Sequence, residues 1–273
     1  MKYRKKKVQI LLGIIIILPF LFYYNNSVIE TTYIDYNNSK LPASFDGLRI
    51  VHLSDLHNKS FGKNQYNLID KVKQENPNLV LITGDIVDRN SKNADNALSL
   101  VEELTKFTKV YYVSGNHETS GSQFKSLQEG LAERDVIILD DKQVTISIGS
   151  DVINLWGISN NSLATLPYDY DKYTSLDNTE FNMLIAHKPE YLEDYKNIGF
   201  DLGFAGHAHG GQIRIPFINQ GIIAPGQGLL PKYTEGINTI EDFSLVISRG
   251  LGNSGFPLRL FNRPEVIVVT LHK

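Results

Sequence analysis

The sequence predicts an α/β fold, a sandwich of strands and helices, preceded by an N-terminal transmembrane helix. Three observations predict it. Short β-rich apolar runs alternate with stretches of helical spacing, side chains of metal-ligating type gather where those runs end, and a long apolar run follows a cationic start. The 273 residues, 42% hydrophobic and 21% charged, exclude a disordered polymer, a collagen-like repeat and a coiled coil. There is no internal repeat and no second linker, so the body reads as one domain.

The first element is an address. Residues 1–7 form a basic cytoplasmic segment, and residues 8–24 follow as an apolar run broken only by Gln9 and ending in Phe20, Phe22, Tyr23 and Tyr24. Its length sits at the short end of the roughly 17–25 residues that span a bilayer. The preceding lysines and arginine hold the amino end in the cytoplasm, and the aromatics suit the far interface. A cleaved secretory signal has the same charge layout. The downstream Tyr23-Tyr24-Asn25-Asn26-Ser27-Val28 lacks the small residues of a cleavage site, so a retained anchor is preferred. Both readings make this a membrane-targeted chain whose body lies outside the cytoplasm. Residues 25–46, polar and Asn-rich, read as a tether, and residues 47–273 as the folded domain.

In that domain Leu48–Leu53, Leu79–Thr83, Val110–Val113, Val152–Trp156, Met183–Ala186, Leu202–Ala205, Phe243–Ile247 and Val266–Leu271 read as buried strands. Asn64–Gln74, Ala94–Phe107, Gly121–Arg134 and Glu190–Asn197 have helical spacing. The alternation argues for an α/β sandwich, and the strand-rich later half for added antiparallel pieces.

Charge and cysteine content narrow the chemistry. Beyond Lys2, Arg4, Lys5, Lys6 and Lys7 the chain carries 22 Lys+Arg against 30 Asp+Glu, a poor match for nucleic acid. Without cysteine there is no disulfide, no thiol nucleophile and no thiolate metal site, so any metal must be held by nitrogen and oxygen.

Five predicted strands run into Ser54-Asp55-Leu56-His57, Gly84-Asp85-Ile86-Val87-Asp88-Arg89, Ser114-Gly115-Asn116-His117-Glu118, His187-Lys188-Pro189 and Gly206-His207-Ala208-His209-Gly210-Gly211. The carboxyl ends of strands line the ligand crevice of open α/β sheets, so one rim receives all five segments. Carboxylate and imidazole donors suit Zn, Mn, Fe or related divalent ions rather than Ca. Asp55, His57, Asp85, Asn116, His187, His207 and His209 are too many for one tetrahedral ion and fit two ions sharing a carboxylate. Paired metals are a recurrent solution for phosphate-ester hydrolysis.

The ordered series Asp55-x-His57, Gly84-Asp85-x-x-Asp88, Gly115-Asn116-His117-Glu118, His187 and Gly206-His207-Ala208-His209 resembles the calcineurin-like metallophosphoesterase superfamily. Phe45 to Ile50 and Ser248 to Gly252 through Pro264-Glu265 extend the likeness to its membrane-anchored or exported bacterial branch. The resemblance implies a metallophosphoesterase-like β-sandwich flanked by helices. It implies that Asp55, His57, Asp85 and His209 hold one ion, and Asp85, Asn116, His187 and His207 the other, with Asp85 bridging. A metal-bridging hydroxide would then attack phosphorus while His117, touching no metal, protonates or stabilises the leaving oxygen. The substrate would be a phosphodiester or phosphomonoester, either a small molecule or lipid-linked.

Other features have plainer readings beside them. Asp88 orients a ligand or caps a helix; Arg249, Arg259 and Arg263 grip phosphate or, the preferred reading, form structural ion pairs. Trp156 and the Tyr168–Tyr173 stretch frame an apolar group or pack the core. The rival to hydrolysis is a catalytically silent scaffold of the same fold that binds protein partners; such a scaffold should have lost ligands, and none is missing.

Overall fold

The computed structural model describes residues 2–166, 170–173, 176–253, 255 and 258–273, apart from the side chains of 2–5, 8, 10–14, 16, 171 and 172. The chain begins with helix α1 (Lys2–Ser27) and strand β1 (Glu30–Asn37). Then come β2 (Arg49–Leu53), α2 (Tyr66–Gln74), β3 (Leu79–Ile82), α3 (Asp95–Leu104), β4 (Lys109–Tyr112), α4 (Asn116–Ser120), α5 (Phe124–Ala132) and β5 (Ile137–Ile138). The second half contributes β6 (Lys142–Ile148), β7 (Asp151–Ile158), α6 (Asn160–Leu163), β8 (Asn182–Ala186), α7 (Leu192–Ile198) and β9 (Leu202–Ala205). Two short hairpins follow, β10 (Arg214–Ile215) with β11 (Gln220–Gly221) and β12 (Ile223–Ala224) with β13 (Gly228–Leu229). The chain closes with β14 (Gly236–Ile240), β15 (Phe243–Ile247) and β16 (Glu265–His272).

Two six-stranded sheets result, ordered β1-β16-β2-β3-β4-β5 and β14-β15-β9-β8-β7-β6. In the first, β2, β3, β4 and β5 are parallel, and β16 enters antiparallel to β2. In the second, β15, β9, β8 and β7 are parallel, with β14 and β6 antiparallel at the edges. The expected antiparallel pieces are therefore present, mostly at sheet margins.

Alternation explains the layering. Ile50, Leu81 and Tyr111 of the first sheet meet Met183, Ile185, Phe204 and Val246 of the second in a buried middle layer. The opposite residues of the first sheet, Val51, Val80, Ile82 and Val110, pack under the helices. There α3 presents Ala97, Leu100, Val101 and Leu104, an i, i+3, i+4, i+7 stripe, beside Leu68 and Val72 of α2 and Leu127 and Leu131 of α5. On the far face Leu184, Ala205 and Leu245 pack with Leu163 of α6 and Leu192 and Tyr195 of α7. The fold is a mixed α/β sandwich with helices outside both sheets. Trp156 packs edge-on against Tyr173 and Phe200 in this last cluster, as core; residues 168 and 169 lie outside the described residues.

The stretch 25–46 is not the simple tether that its polarity implies. Strand β1 pairs in parallel with β16 along all of Glu30 to Asn37, and Asn25 and Asn26 are buried. The physical reason is an edge-strand pattern. Tyr36 and Ile34 turn inward onto the middle layer while Tyr33 and Asp35 face solvent, so half the strand reads as polar. The folded body thus starts upstream of residue 47. Among the described residues, no helix is long and apolar enough to cross a membrane.

Candidate metal centre

All seven predicted donors meet at one rim, just past the carboxyl ends of β2, β3, β4, β8 and β9. The backbone there is unusual. Asp55, His57, Asp85, His207 and His209 have φ of 53°, 48°, 51°, 65° and 48°, in the left-handed region that non-glycine residues rarely enter. Each such residue costs about 1–2 kcal/mol, strain of the kind that collects at functional sites. Its effect is geometric: the chain curls at the strand end, so both members of Asp55-x-His57 aim at one centre.

Two glycines make the curls possible. Gly84 has φ 88°, and a Cβ there would lie 2.4 Å from the backbone nitrogen of Gly115. A Cβ on Gly206 would lie 1.9 Å from Ser54 Oγ and 2.3 Å from Asp55 Oδ2. The β3 and β4 loops touch backbone to backbone and the β9 loop seats its backbone on the Ser54 and Asp55 side chains, which brings the candidate donors together.

The donors form two groups. In the first, His57 Nε2 lies 3.1 Å from His209 Nε2, and Asp55 Oδ1 lies 3.4 Å from His209 Nε2 and 4.0 Å from His57 Nε2. In the second, His187 Nε2 lies 3.1 Å from both His207 Nδ1 and Asn116 Oδ1. Asp85 Oδ2 stands between the groups, 3.7 Å from His57 Nε2 and 3.2 Å from His187 Nε2. Ligands about 2.0–2.2 Å from one cation lie about 3.0–3.5 Å from each other, the range of the His57–His209, Asp55–His209, His187–His207, His187–Asn116 and Asp85–His187 spacings, while Asp85–His57 is longer. The residues therefore fit divalent ions.

Electrostatics agree. Burial lowers His57 to about 4 and His207 to about 2 and holds His209 well below its ordinary value, leaving uncharged rings with lone pairs to give. Burial pushes Asp55 up to about 6, with His187 opposing and Asp85 adding to the push. Burial would also raise Asp85, but His187, His57 and His117 outweigh it and hold the carboxyl far below the usual range. Burial opposes charge on His187 too, yet Asp85 and Asp55 raise it to about 10. Two buried carboxylates draw positive charge into the site, the demand that a bound cation meets.

A supporting layer orients the donors, and composition did not reveal it. The carbonyl of Thr83 lies 2.7 Å from His187 Nδ1, which turns Nε2 toward Asp85. Glu118 accepts from the backbone N–H groups of Asp85 (2.8 Å), Gly115 (2.7 Å) and Val87 (3.1 Å), tying the β3 and β4 loops together. Burial and the Asp85 charge push Glu118 to about 8 while its Val87 and Gly115 hydrogen bonds pull the other way. The one local signal is its place as the acidic third residue of α4, where such side chains reach back to the cap N–H. His52, outside every motif, is a core residue hydrogen-bonded to Thr83 Oγ1, which donates to Ser54 Oγ.

His117 stands beside the first group, its ring edge-on to His57 at 4.6 Å between centroids. Its Nδ1 lies 3.2 Å from both Asp88 Oδ2 and the backbone nitrogen of Arg89, so Asp88 contacts this ring. Burial lowers its pKa, while Asp85 and Asp88 oppose. Two of the three arginines form the expected ion pairs, and Arg259 instead donates to backbone carbonyls. Arg249 pairs with Glu265 and Glu30, and Arg263 with Glu30. Arg259, fully buried, donates to the carbonyls of Gly252 and Arg249, and its Nη2 lies 3.3 Å from His209 Nδ1.

A two-sheet sandwich with a nitrogen–oxygen centre at its strand ends defines a metal-dependent hydrolase of phosphoric esters. The model of the calcineurin-like phosphoesterase family matches residues 48–211, more than half of the chain, and the chain belongs to that family. It is 30% identical to the uncharacterized metallophosphoesterase YkoQ of Bacillus subtilis over 263 residues, covering 93% of this chain and 96% of the relative. It is 28% identical to YkuE of the same organism, covering 91% and 87%. Among solved structures, TT1561 of Thermus thermophilus shares the fold at 8% identity, with a TM-score of 0.50 over 74% of this chain and 89% of that one.

Proposed function

We propose that this protein is a dinuclear phosphoesterase tethered to the membrane, hydrolysing a phosphodiester or phosphomonoester outside the cytoplasm. The observation that carries the dinuclear reading is the position of Asp85 Oδ2 within reach of both His57 and His187. Asp55, His57, Asp85 and His209 would hold one divalent ion, and Asp85, Asn116, His187 and His207 a second, with Mn, Zn and Fe all compatible with these donors. Bound there, such ions supply positive charge for the phosphoryl oxygens and acidify water. The protein fixes the ester so that water adds to phosphorus as the bond to the leaving oxygen breaks. His117 delivers a proton to that oxygen from Nε2, the ring nitrogen opposite Asp88. No covalent phospho-enzyme is involved.

The tether rests on the apolar run 8–24, which lies within one continuous helix of 26 residues. At 1.5 Å per residue the apolar run itself is about 25 Å long, at the short end for a bilayer core of about 30 Å. The cations before it orient the body away from the cytoplasm. Lipid-linked or small phosphate esters are the substrates this placement favours.

The test uses the full chain in detergent, loaded with Mn, Zn or Fe and given aryl phosphate mono- and diesters. Hydrolysis is expected in the native protein and its loss in the Asp85→Asn, His207→Ala double variant. Undiminished hydrolysis by the double variant overturns the reading.

A further inference from the structure

The second half of the chain exposes apolar side chains that the metal centre does not use. Phe217 is fully exposed, and Ile218, Ile223, Leu229, Leu230 and Phe261 are each at least half exposed. Isolated exposed apolar residues need no explanation, but this set is concentrated in residues 217–230 and at Phe261. Its most prominent part is the tip of the β10–β11 hairpin, Pro216-Phe217-Ile218-Asn219, which carries no charge.

The hairpin is built rigidly. Arg214, buried at its base, pairs with Glu235 and donates to the carbonyls of Gly210 (2.9 Å) and Asn219. Phe217 has φ 71° and Asn219 φ 52°, so the tip is a fixed, strained turn. Strain of that kind in a bulky residue, with no core contact to repay it, points to a use for the side chain where it stands.

The surroundings identify what covers it. A cavity of about 410 Å³ is lined on its outer side by Leu21 and Tyr24 of α1, Pro216 and Asn219 of the hairpin and Phe261, and on the body side by Asn25 and the ion-paired Glu30, Arg249 and Arg263. The hairpin therefore stands beside the last turns of α1. Those turns are locked to the body: Asn26 accepts from the Arg259 backbone N–H at 3.0 Å and donates to the Arg259 carbonyl at 3.2 Å. On α1, Ile15, Ile17, Leu18, Phe20, Phe22 and Tyr23 are all more than half exposed. At roughly 100° per residue they point to every side of the helix. A protein groove covers one side of a helix, whereas lipid covers all of them.

We infer that the β10–β11 hairpin tip, with Phe217 and Ile218 leading, inserts into the lipid interface alongside α1. The inference rests on the membrane-anchor reading above and deepens it. The base of the hairpin rests on the ligand turn, with the backbone N–H of Ile222 donating to the carbonyl of Gly211 at 3.2 Å. Phe217 follows Gly211 by six residues, of which only Arg214–Ile215 are strand, so the tip lies at most about 20 Å from the turn. Insertion thus holds the metal centre at the height of lipid headgroups, so the substrate class is a phosphate ester displayed on a bilayer.

The chain has no cysteine, so one introduced thiol carries a unique label. Phe217→Cys, Ile218→Cys, Phe20→Cys and Lys125→Cys are each labelled with an environment-sensitive fluorophore. The full-length protein is reconstituted in phosphatidylcholine–phosphatidylglycerol vesicles with or without brominated acyl chains, and native metal content checks each variant's fold. Labels at 217, 218 and 20 are expected to shift to the blue and be quenched severalfold by brominated lipid, with the charged-surface label at 125 unchanged. Quenching at 20 with water-exposed labels at 217 and 218 overturns the hairpin inference and leaves the anchor standing. Labels at 217 and 218 shielded from water yet not quenched overturn it in favour of a second copy of the chain. No quenching at 20 removes the anchor and the inference together.

Discussion

His57 and His209 are 152 positions apart in the chain, yet their Nε2 atoms stand 3.1 Å from each other. Their rings are close to parallel, 27° apart with centroids at 5.0 Å. Two buried, uncharged imidazoles facing nitrogen to nitrogen can share one hydrogen at most. With Asp55 Oδ1 and Asp85 Oδ2 beside them, their spacing is that of a ligand shell. Replacing either ring should therefore empty one site rather than merely loosen the fold. For His209→Ala we expect metal content measured on purified protein to fall from about two ions to about one, with at least a hundredfold loss of turnover.

His117 separates chemistry from metal binding. Its ring contacts Asp88 and His57 but is not needed to complete either ligand group. His117→Ala should keep its metal and lose about 10²- to 10⁴-fold in kcat, the usual worth of a positioned proton donor. Metal analysis beside steady-state kinetics checks both halves. A variant that loses its metal would make His117 a ligand.

Glu118 joins the β3 and β4 loops through three backbone N–H groups. Glutamine in its place keeps one oxygen but turns an NH₂ toward backbone donors, leaving at least one buried N–H unpaired. Glu118→Gln should lose about 1–3 kcal/mol of stability, read as a lower Tm. Because Asp85 and Asn116 sit on those loops, metal affinity should also fall by about 10- to 100-fold in a metal-buffered titration.

Asn26 fixes the end of α1 to the body by exchanging two hydrogen bonds with the backbone of Arg259. Asn26→Ala strands that buried N–H and carbonyl. The expected cost is about 1–3 kcal/mol, and the Tm of the full chain in detergent should drop by about 2–4 °C per kcal/mol. An unchanged Tm would mean that α1 hangs free of the domain.

Glu30 gives a pH signature to strand β1. Burial pushes its carboxyl up, but the hydrogen bond and charge of Arg249, and then Arg263, hold it below its ordinary 4.5. A depressed carboxyl stabilises the fold above its unfolded pKa, and that contribution disappears as pH falls through the lower folded value. The group is partly exposed, so the pairing is worth about 0.5–1 kcal/mol. Glu30→Gln should melt lower than the native protein at pH 7, and the two curves should converge well below pH 4.5. Identical melting at both pH values would remove Glu30 from the stability of the edge strand.

Much of this was legible in the chain. Leu202–Ala205 and Phe243–Ile247 form strands with the boundaries their apolar runs imply, because a strand buried on both faces has no polar interruption to confuse its ends. Strand β1 was not legible, since an edge strand with one wet face has the composition of a linker. Strands β6 and β14 were hidden likewise, their exposed residues alternating with half-buried ones. The roles of Glu118 and Thr83 were equally out of reach, and Arg259 was expected in an ion pair rather than on carbonyls, because each acts through backbone groups that have no letter in the sequence.

By itself the sequence determined which side chains are candidate donors, the strand ends that carry them and the apolar run 8–24, because side-chain chemistry and hydrophobic period are local properties. Only the tertiary structure decided which candidate donors stand together, that five of them sit on left-handed backbone, and that the last turn of α1 is held beside an apolar hairpin. Those relations depend on contacts across more than a hundred residues of chain, and no local pattern encodes the direction in which a side chain points once two sheets have closed on each other.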